Sequence, residues 1–225
     1  MRTKLAIFGS AFLIGLSGAM MPGPLLSACI GYTLHRGFVA GGPLLILGHA
    51  ILEVALVILV LIGLGPLLAR KRVSAAIGII GGAVLIWMGY GMAAFATRAP
   101  ALTLDGATTA LPASPIVAGI LISLANPYWS LWWATIGLKY IAISRDAGPT
   151  GITLFCTGHI LSDVAWYLLI AGGVALGRQA ISPTVYRWIL GACGVFLIAF
   201  GALFLIAGIR HFLKPRSAPT PVLED

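Results

Sequence analysis

The sequence predicts an all-α, polytopic membrane protein: six transmembrane helices as two inverted three-helix repeats, with broken first and fourth helices. Three observations predict it. Charged residues make up 9% of the 225 positions and hydrophobic residues 60%, whereas soluble domains carry about a quarter charged residues. The charges divide the chain into six apolar stretches, roughly 5–34, 38–69, 73–97, 106–138, 147–177 and 188–209. Crossing the hydrocarbon layer takes about 20 mainly apolar residues, so each stretch spans once and nothing is left for a soluble domain. Last, the second half of the chain rewrites the first.

The first stretch follows Arg2 and Lys4, and its apolar run continues past Ala19. That exceeds the 7–15 residues of a signal core, so it reads as a retained span. Pro22-Gly23-Pro24 interrupts it; two prolines withhold backbone N–H groups and the glycine adds freedom, so the helix breaks there. The second span contains Gly48-His49-Ala50-Ile51-Leu52-Glu53-Val54, and the fifth Gly158-His159-Ile160-Leu161-Ser162-Asp163-Val164. Both read Gly-His, three residues, an acid, Val. The third span's Gly82-Ala83-Val84-Leu85-Ile86 and Gly89 match Gly194-Val195-Phe196-Leu197-Ile198 and Gly201 in the sixth. The fourth span breaks at Asn126-Pro127, as the first does at its prolines. Its partner histidine lies 32 residues beyond the proline rather than 25, and the extra seven are assigned to a polar loop over 144–150.

The expected organisation is one transmembrane domain over 1–214, with repeats near 5–97 and 115–209 and a disordered polar tail from 215. An odd number of spans per repeat turns the second copy upside down. Such inverted repeats are a transporter architecture with a site near the midplane.

The net charge of +8 is topogenic rather than a nucleic-acid surface. With alternating spans, Arg2, Lys4, Arg70, Lys71, Arg72, Lys139, Arg145, Arg210, Lys214 and Arg216 share one side. Only Arg36, Arg98, Arg178 and Arg187 face the other. Basic excess marks the cytoplasm, so both termini are expected there. Cys29, Cys156 and Cys193 form no Cys-x-x-Cys pair; they read as small packing residues, which removes thiol-electron carriers. No cofactor is expected.

Within the spans the ionisable groups reduce to His49, Glu53, His159 and Asp163. Each charged form costs on the order of 2.5–3.5 kcal/mol at a membrane-helix centre. Positions i and i+4 share a helix face, so each repeat presents imidazole beside carboxylate, and the pseudo-symmetry brings the pairs towards one cavity. The bland alternative is that each pair only glues helices. The functional readings are balance of a cationic group or proton carriage, or a divalent metal held by His49, Glu53, His159 and Asp163. Freed backbone at Pro22, Gly23, Pro24 and at Asn126, Pro127 requires protein or a water-filled cavity, and a half-helix N-terminus attracts a carboxylate. Tyr128, Trp129, Trp132 and Trp133 belong by chemistry to an interfacial belt or to packing; Trp129 and Trp133 share a face and are candidates for cavity lining.

On Pro22-Gly23-Pro24, the glycines Gly37, Gly41 and Gly48, and Asn126-Pro127, the chain resembles the lysine exporter (LysE-type) translocator family over most of 7–209. The resemblance implies a small bacterial inner-membrane carrier that exports amino acids on the proton motive force, with the broken-helix motifs at those residues. The duplicated Gly-His-x3-acid departs from the family's best-known exporters. It is similar in placement to the metal sites of cation diffusion facilitators. The leading expectation is a proton-coupled exporter of a small amino acid or zwitterion. A divalent-cation exporter is the alternative, and a non-transporting assembly factor a third class. The partners expected are the lipid bilayer and a small solute or ion, with homo-oligomerisation left open.

Overall fold

A computed structural model describes residues 4–68, 70–98, 112–177 and 182–213. Arg2, Asp105, Arg178, the start of the fourth stretch and the tail lie outside them. The described residues form the helices α1 (Lys4–Ala19), α2 (Pro24–Arg36), α3 (Ala40–Leu68), α4 (Lys71–Arg98), α5 (Pro115–Ala125), α6 (Pro127–Arg145), α7 (Gly148–Leu176) and α8 (Pro183–Leu213). α3, α4, α7 and α8 are long and apolar enough to cross a membrane. The pairs α1–α2 and α5–α6 qualify as bent spans, turning by 80° and 62°. The described residues are all-helical and supply four spans, or six with each bent pair counted as one, as expected of a polytopic membrane protein.

The breaks follow from the local chemistry. α1 stops before Pro22, Gly23 is extended, and Pro24 opens α2 at the first helical turn, where a missing N–H leaves no bond unmade. α2 ends at Gly37, whose φ of 85° is one that glycine adopts without steric cost. In the second half Asn126 leaves the helical region (φ −83°, ψ 107°), and its side chain accepts the Tyr128 N–H at 3.1 Å, capping α6 behind Pro127.

One boundary differs from expectation. The fourth span continues to Arg145, so Lys139 lies inside it, and the polar loop shrinks to a turn at Asp146–Ala147. The extra residues of the second half lengthen α6 instead. Nothing between Pro127 and Gly148 plays the part of Gly37, and Ile141 and Ser144 are buried.

Packing repeats across the halves. α1 lies on α7 so closely that a Cβ at Gly158 would overlap the Phe8 carbonyl; α5 lies on α3 so closely that a Cβ at Gly48 would overlap the Ile116 carbonyl. α4 and α8 meet each other, Gly82 against Gly201 and Gly89 against Gly194. Exchanging equivalent residues turns each of these contacts into its mate, as a two-fold relation requires. Large apolar side chains such as Leu13, Ile58, Trp87, Leu169 and Trp188 are exposed, the surface a lipid solvent asks for.

Candidate functional site

The site lies where α3 and α7 face each other beside the two breaks. His49 and Glu53 project from one face of α3, and His159 and Asp163 from one face of α7; all four are buried, Glu53 at 2% exposure. The four intramembrane groups therefore converge, as the repeat suggested. Each histidine also lies beside its own acid, His49 Nε2 at 3.2 Å from Glu53 Oε1 and His159 Nε2 at 3.8 Å from Asp163 Oδ2. The second distance is too long for a hydrogen bond.

The shorter contact crosses between halves. His159 Nε2 lies 3.1 Å from Glu53 Oε1. The same oxygen receives the indole N–H of Trp133 at 3.1 Å and of Trp129 at 3.3 Å. One carboxylate oxygen has about two lone-pair sites, so four nitrogens share it. Glu53 Oε2, by contrast, is buried with no hydrogen-bond partner, as are Asp163 Oδ2 and His159 Nδ1. Buried polar atoms without partners are rare, and each calls for an explanation such as a bound water or ion.

These groups line a cavity of about 40 Å³ that also reaches Gly23 at the first break and Asn126 at the second. Pro22, Pro24 and Pro127 do not line it; they set the bends that bring its walls together. Trp129 and Trp133 do line it, through their bonds to Glu53. Trp132 and Trp133 are 4% and 2% exposed, so neither is an interfacial belt residue. The π-helical turn over Trp133–Gly137 shifts the helical register immediately after them, and such bulges recur at functional sites.

Two contributors were not anticipated. Ser123 Oγ lies 2.7 Å from His49 Nδ1. Trp132 stacks on the His159 ring, with centroids 4.7 Å apart and planes inclined 20°. A hydroxyl within an apolar span three residues before the Asn-Pro break was the available signal for the first. For the second there was none, since a tryptophan in a row of aromatics does not announce which ring it covers.

As a metal site the cluster offers His49, Glu53 and Asp163, with one ligand atom of each within 4.8 Å of the others. Two carboxylate oxygens without partners suit such an ion chemically.

Comparison with known proteins identifies the family, because the LysE type translocator pattern matches residues 16–208. The chain belongs to the LysE type translocator family. It is 24% identical over 212 residues to the "Putative amino acid efflux protein YcgF" of Bacillus subtilis, spanning 92% of this chain and 99% of that one. It is 27% identical over 111 residues to the lysine exporter LysE of Corynebacterium efficiens, covering 48% of this chain and 47% of that protein. No solved structure matches. For this LysE type translocator, the resemblance seen on the Pro-Gly-Pro and Asn-Pro motifs is thus borne out. The matched region contains every group that builds the cavity.

Proposed function

We propose that the protein is a carrier, not an enzyme, that exports a small amino acid or related zwitterion by alternating access coupled to protons. Its place is a bacterial inner membrane with both termini in the cytoplasm. One observation carries the reading: Glu53 of the first repeat is bonded to His159 of the second, so the buried acids and histidines among the described residues meet at the repeat interface, where inverted-repeat carriers bind substrate. The amino acid efflux named for the Bacillus relative supports the substrate class.

The free oxygens of Glu53 and Asp163 would receive the ammonium group or the coupling proton. The backbone at Gly23 and Asn126 would meet the carboxylate. At about 40 Å³ the cavity has room for a few waters but not for an amino acid, so it must widen during the cycle. The test is efflux of radiolabelled amino acids from proteoliposomes at several pH values. Glu53→Gln and Asp163→Asn should slow efflux and flatten its pH dependence. Wild-type pH dependence in both variants would refute the assignment.

A second reading has its own support. The small cavity and the His49–Glu53–Asp163 cluster fit a divalent transition ion as substrate. Calorimetry on purified protein decides it: zinc binding lost in His49→Ala favours the ion, and no binding by the native chain removes it.

A further inference from the structure

We propose that Ser123 is a positioning residue of this site. It holds His49 as the tautomer with its proton on Nε2, while Gly15, at the equivalent place in the other repeat, withholds that support from His159. The proposal rests on reading the cavity as the transport site.

The equivalence comes from the packing. Phe8 meets Gly158 as Ile116 meets Gly48, and the same spacing carries Gly15 onto Ser123. Both positions are buried on the faces that α1 and α5 turn inward. A serine in a helix usually satisfies its hydroxyl on a carbonyl three or four residues back. Ser162 does this, donating to the His159 carbonyl at 2.6 Å. Ser123 instead reaches across to another helix, to His49 Nδ1 at 2.7 Å.

The direction of that bond follows from the other end of the ring. Ionised Glu53 only accepts, so His49 Nε2, 3.2 Å away, presents an N–H to it. In the neutral imidazole Nδ1 is then a bare lone pair, and the Ser123 hydroxyl is its donor. Both nitrogens of His49 are satisfied, and the ring is pinned at two points.

His159 has no such arrangement. Its Nδ1 is buried without a partner, and the α1 backbone opposite it leaves no room for one. A Cβ at Gly15 would stand 2.8 Å from Nδ1 and overlap the Ser162 hydroxyl. The ring is held by its faces instead, stacked on Trp132 and, at 6.0 Å and 6°, on Phe155. So the two histidines do different work. His49 is a fixed donor that orients Glu53; His159 keeps one nitrogen uncommitted.

Nitrogen-15 spectra of histidine-labelled protein in nanodiscs at neutral pH test this, with signals assigned from His49→Gln and His159→Gln. His49 should show a pyrrole-type Nε2 and a pyridine-type Nδ1 shifted by hydrogen bonding. Ser123→Ala should move that Nδ1 to the unbonded pyridine range, where His159 Nδ1 already lies. A pyrrole-type Nδ1 at His49, or one indifferent to Ser123→Ala, overturns the proposal. In proteoliposomes loaded with radiolabelled lysine, Ser123→Ala should slow efflux about 2- to 10-fold, the loss of one ordinary hydrogen bond. In a His49→Gln background it should add nothing. Equal slowing in both backgrounds would show that Ser123 acts elsewhere. Absence of lysine efflux from the wild type would count against the transport reading, while the spectra would still decide the tautomer.

Discussion

The two halves of the molecule share a plan and differ in how they occupy it. In the first, Glu53 gathers two imidazoles and two indoles, and its histidine is pinned by Ser123. In the second, Asp163 lies 3.8 Å from its histidine, beyond hydrogen-bonding distance, and that histidine is stacked on Trp132 and bonded to Glu53 of the first half. The ends differ too. Where α2 finishes, the Tyr32 hydroxyl donates to the Pro112 carbonyl and the Arg36 guanidinium to that of Ala113, tying α2 to the start of α5. At the equivalent end of α6 a crevice of about 430 Å³ lies between Val60–Pro66 and Leu138–Asp146. A repeated sequence thus adopts a structure whose two halves differ in local contacts, the end of α2 tied to residues 112–113 and the end of α6 bordering a crevice.

The largest effect should come from the acids, where the asymmetry is strongest. Removing Glu53 strands two indole N–H groups and two imidazoles in the interior. Breaking a buried, bonded charge network by deleting one member costs about 3–5 kcal/mol. Asp163 accepts from neither indole and faces His159 only at 3.8 Å, so Asp163→Ala should cost less, about 1–2 kcal/mol, within the range of ordinary substitutions. Unfolding in detergent followed by circular dichroism measures both. Equal losses would break the comparison by showing that Asp163 is as firmly bonded as Glu53.

Next come the contacts that the halves share. Gly48→Ala and Gly158→Ala each push a methyl into a facing carbonyl, and overpacking of this kind costs about 1–3 kcal/mol. The two variants should lose similar stability, whereas Gly91→Ala, with nothing within 4 Å of its Cβ position, should lose almost none. A large loss at Gly48 with none at Gly158 would mean that the two helix couples are not equivalent.

The fold was legible because its causes are local. Span length, the Pro22–Pro24 and Asn126–Pro127 breaks, and the Gly-His-x3-acid repeat each act within a few turns of helix. The convergence of His49, Glu53, His159 and Asp163 was legible as well, since lipid punishes any other placement of such groups. What escaped reading depends on rotation and approach between helices. Nothing near Glu53 in the sequence says that it will outreach Asp163 by one methylene and collect His159 from across the interface. The role of Trp132 depends on the same geometry. The longer α6 was missed because Ser144 and Thr150 look like loop residues, though Ser144 is buried within the helix.

The smallest effect probes whether the difference between halves is reversible. Counting ten residues on from each acid, Gly63 in α3 and Gly173 in α7 are equivalent. Gly63 has φ 132° and ψ −2°, and bends α3 beside the crevice. Gly173 lies inside the uninterrupted α7, and a Cβ there would meet nothing within 4 Å. Alanine at Gly63 is strained in that backbone, by about 1–2 kcal/mol. Alanine at Gly173 fits the helix and should stabilise it by about 0.4–1 kcal/mol by restricting the unfolded chain. Packing in this conformation gives no reason for glycine at 173; a conformation in which α7 takes the bend now seen in α3 does. Gly173→Ala should therefore raise thermal stability and at the same time slow efflux by about 5- to 30-fold, the rate equivalent of forcing a non-glycine residue through that bend. A Gly173→Ala carrier that is both more stable and as fast as the wild type would confine the bend to the first half, and the asymmetry would be a permanent feature of the fold rather than one phase of its cycle.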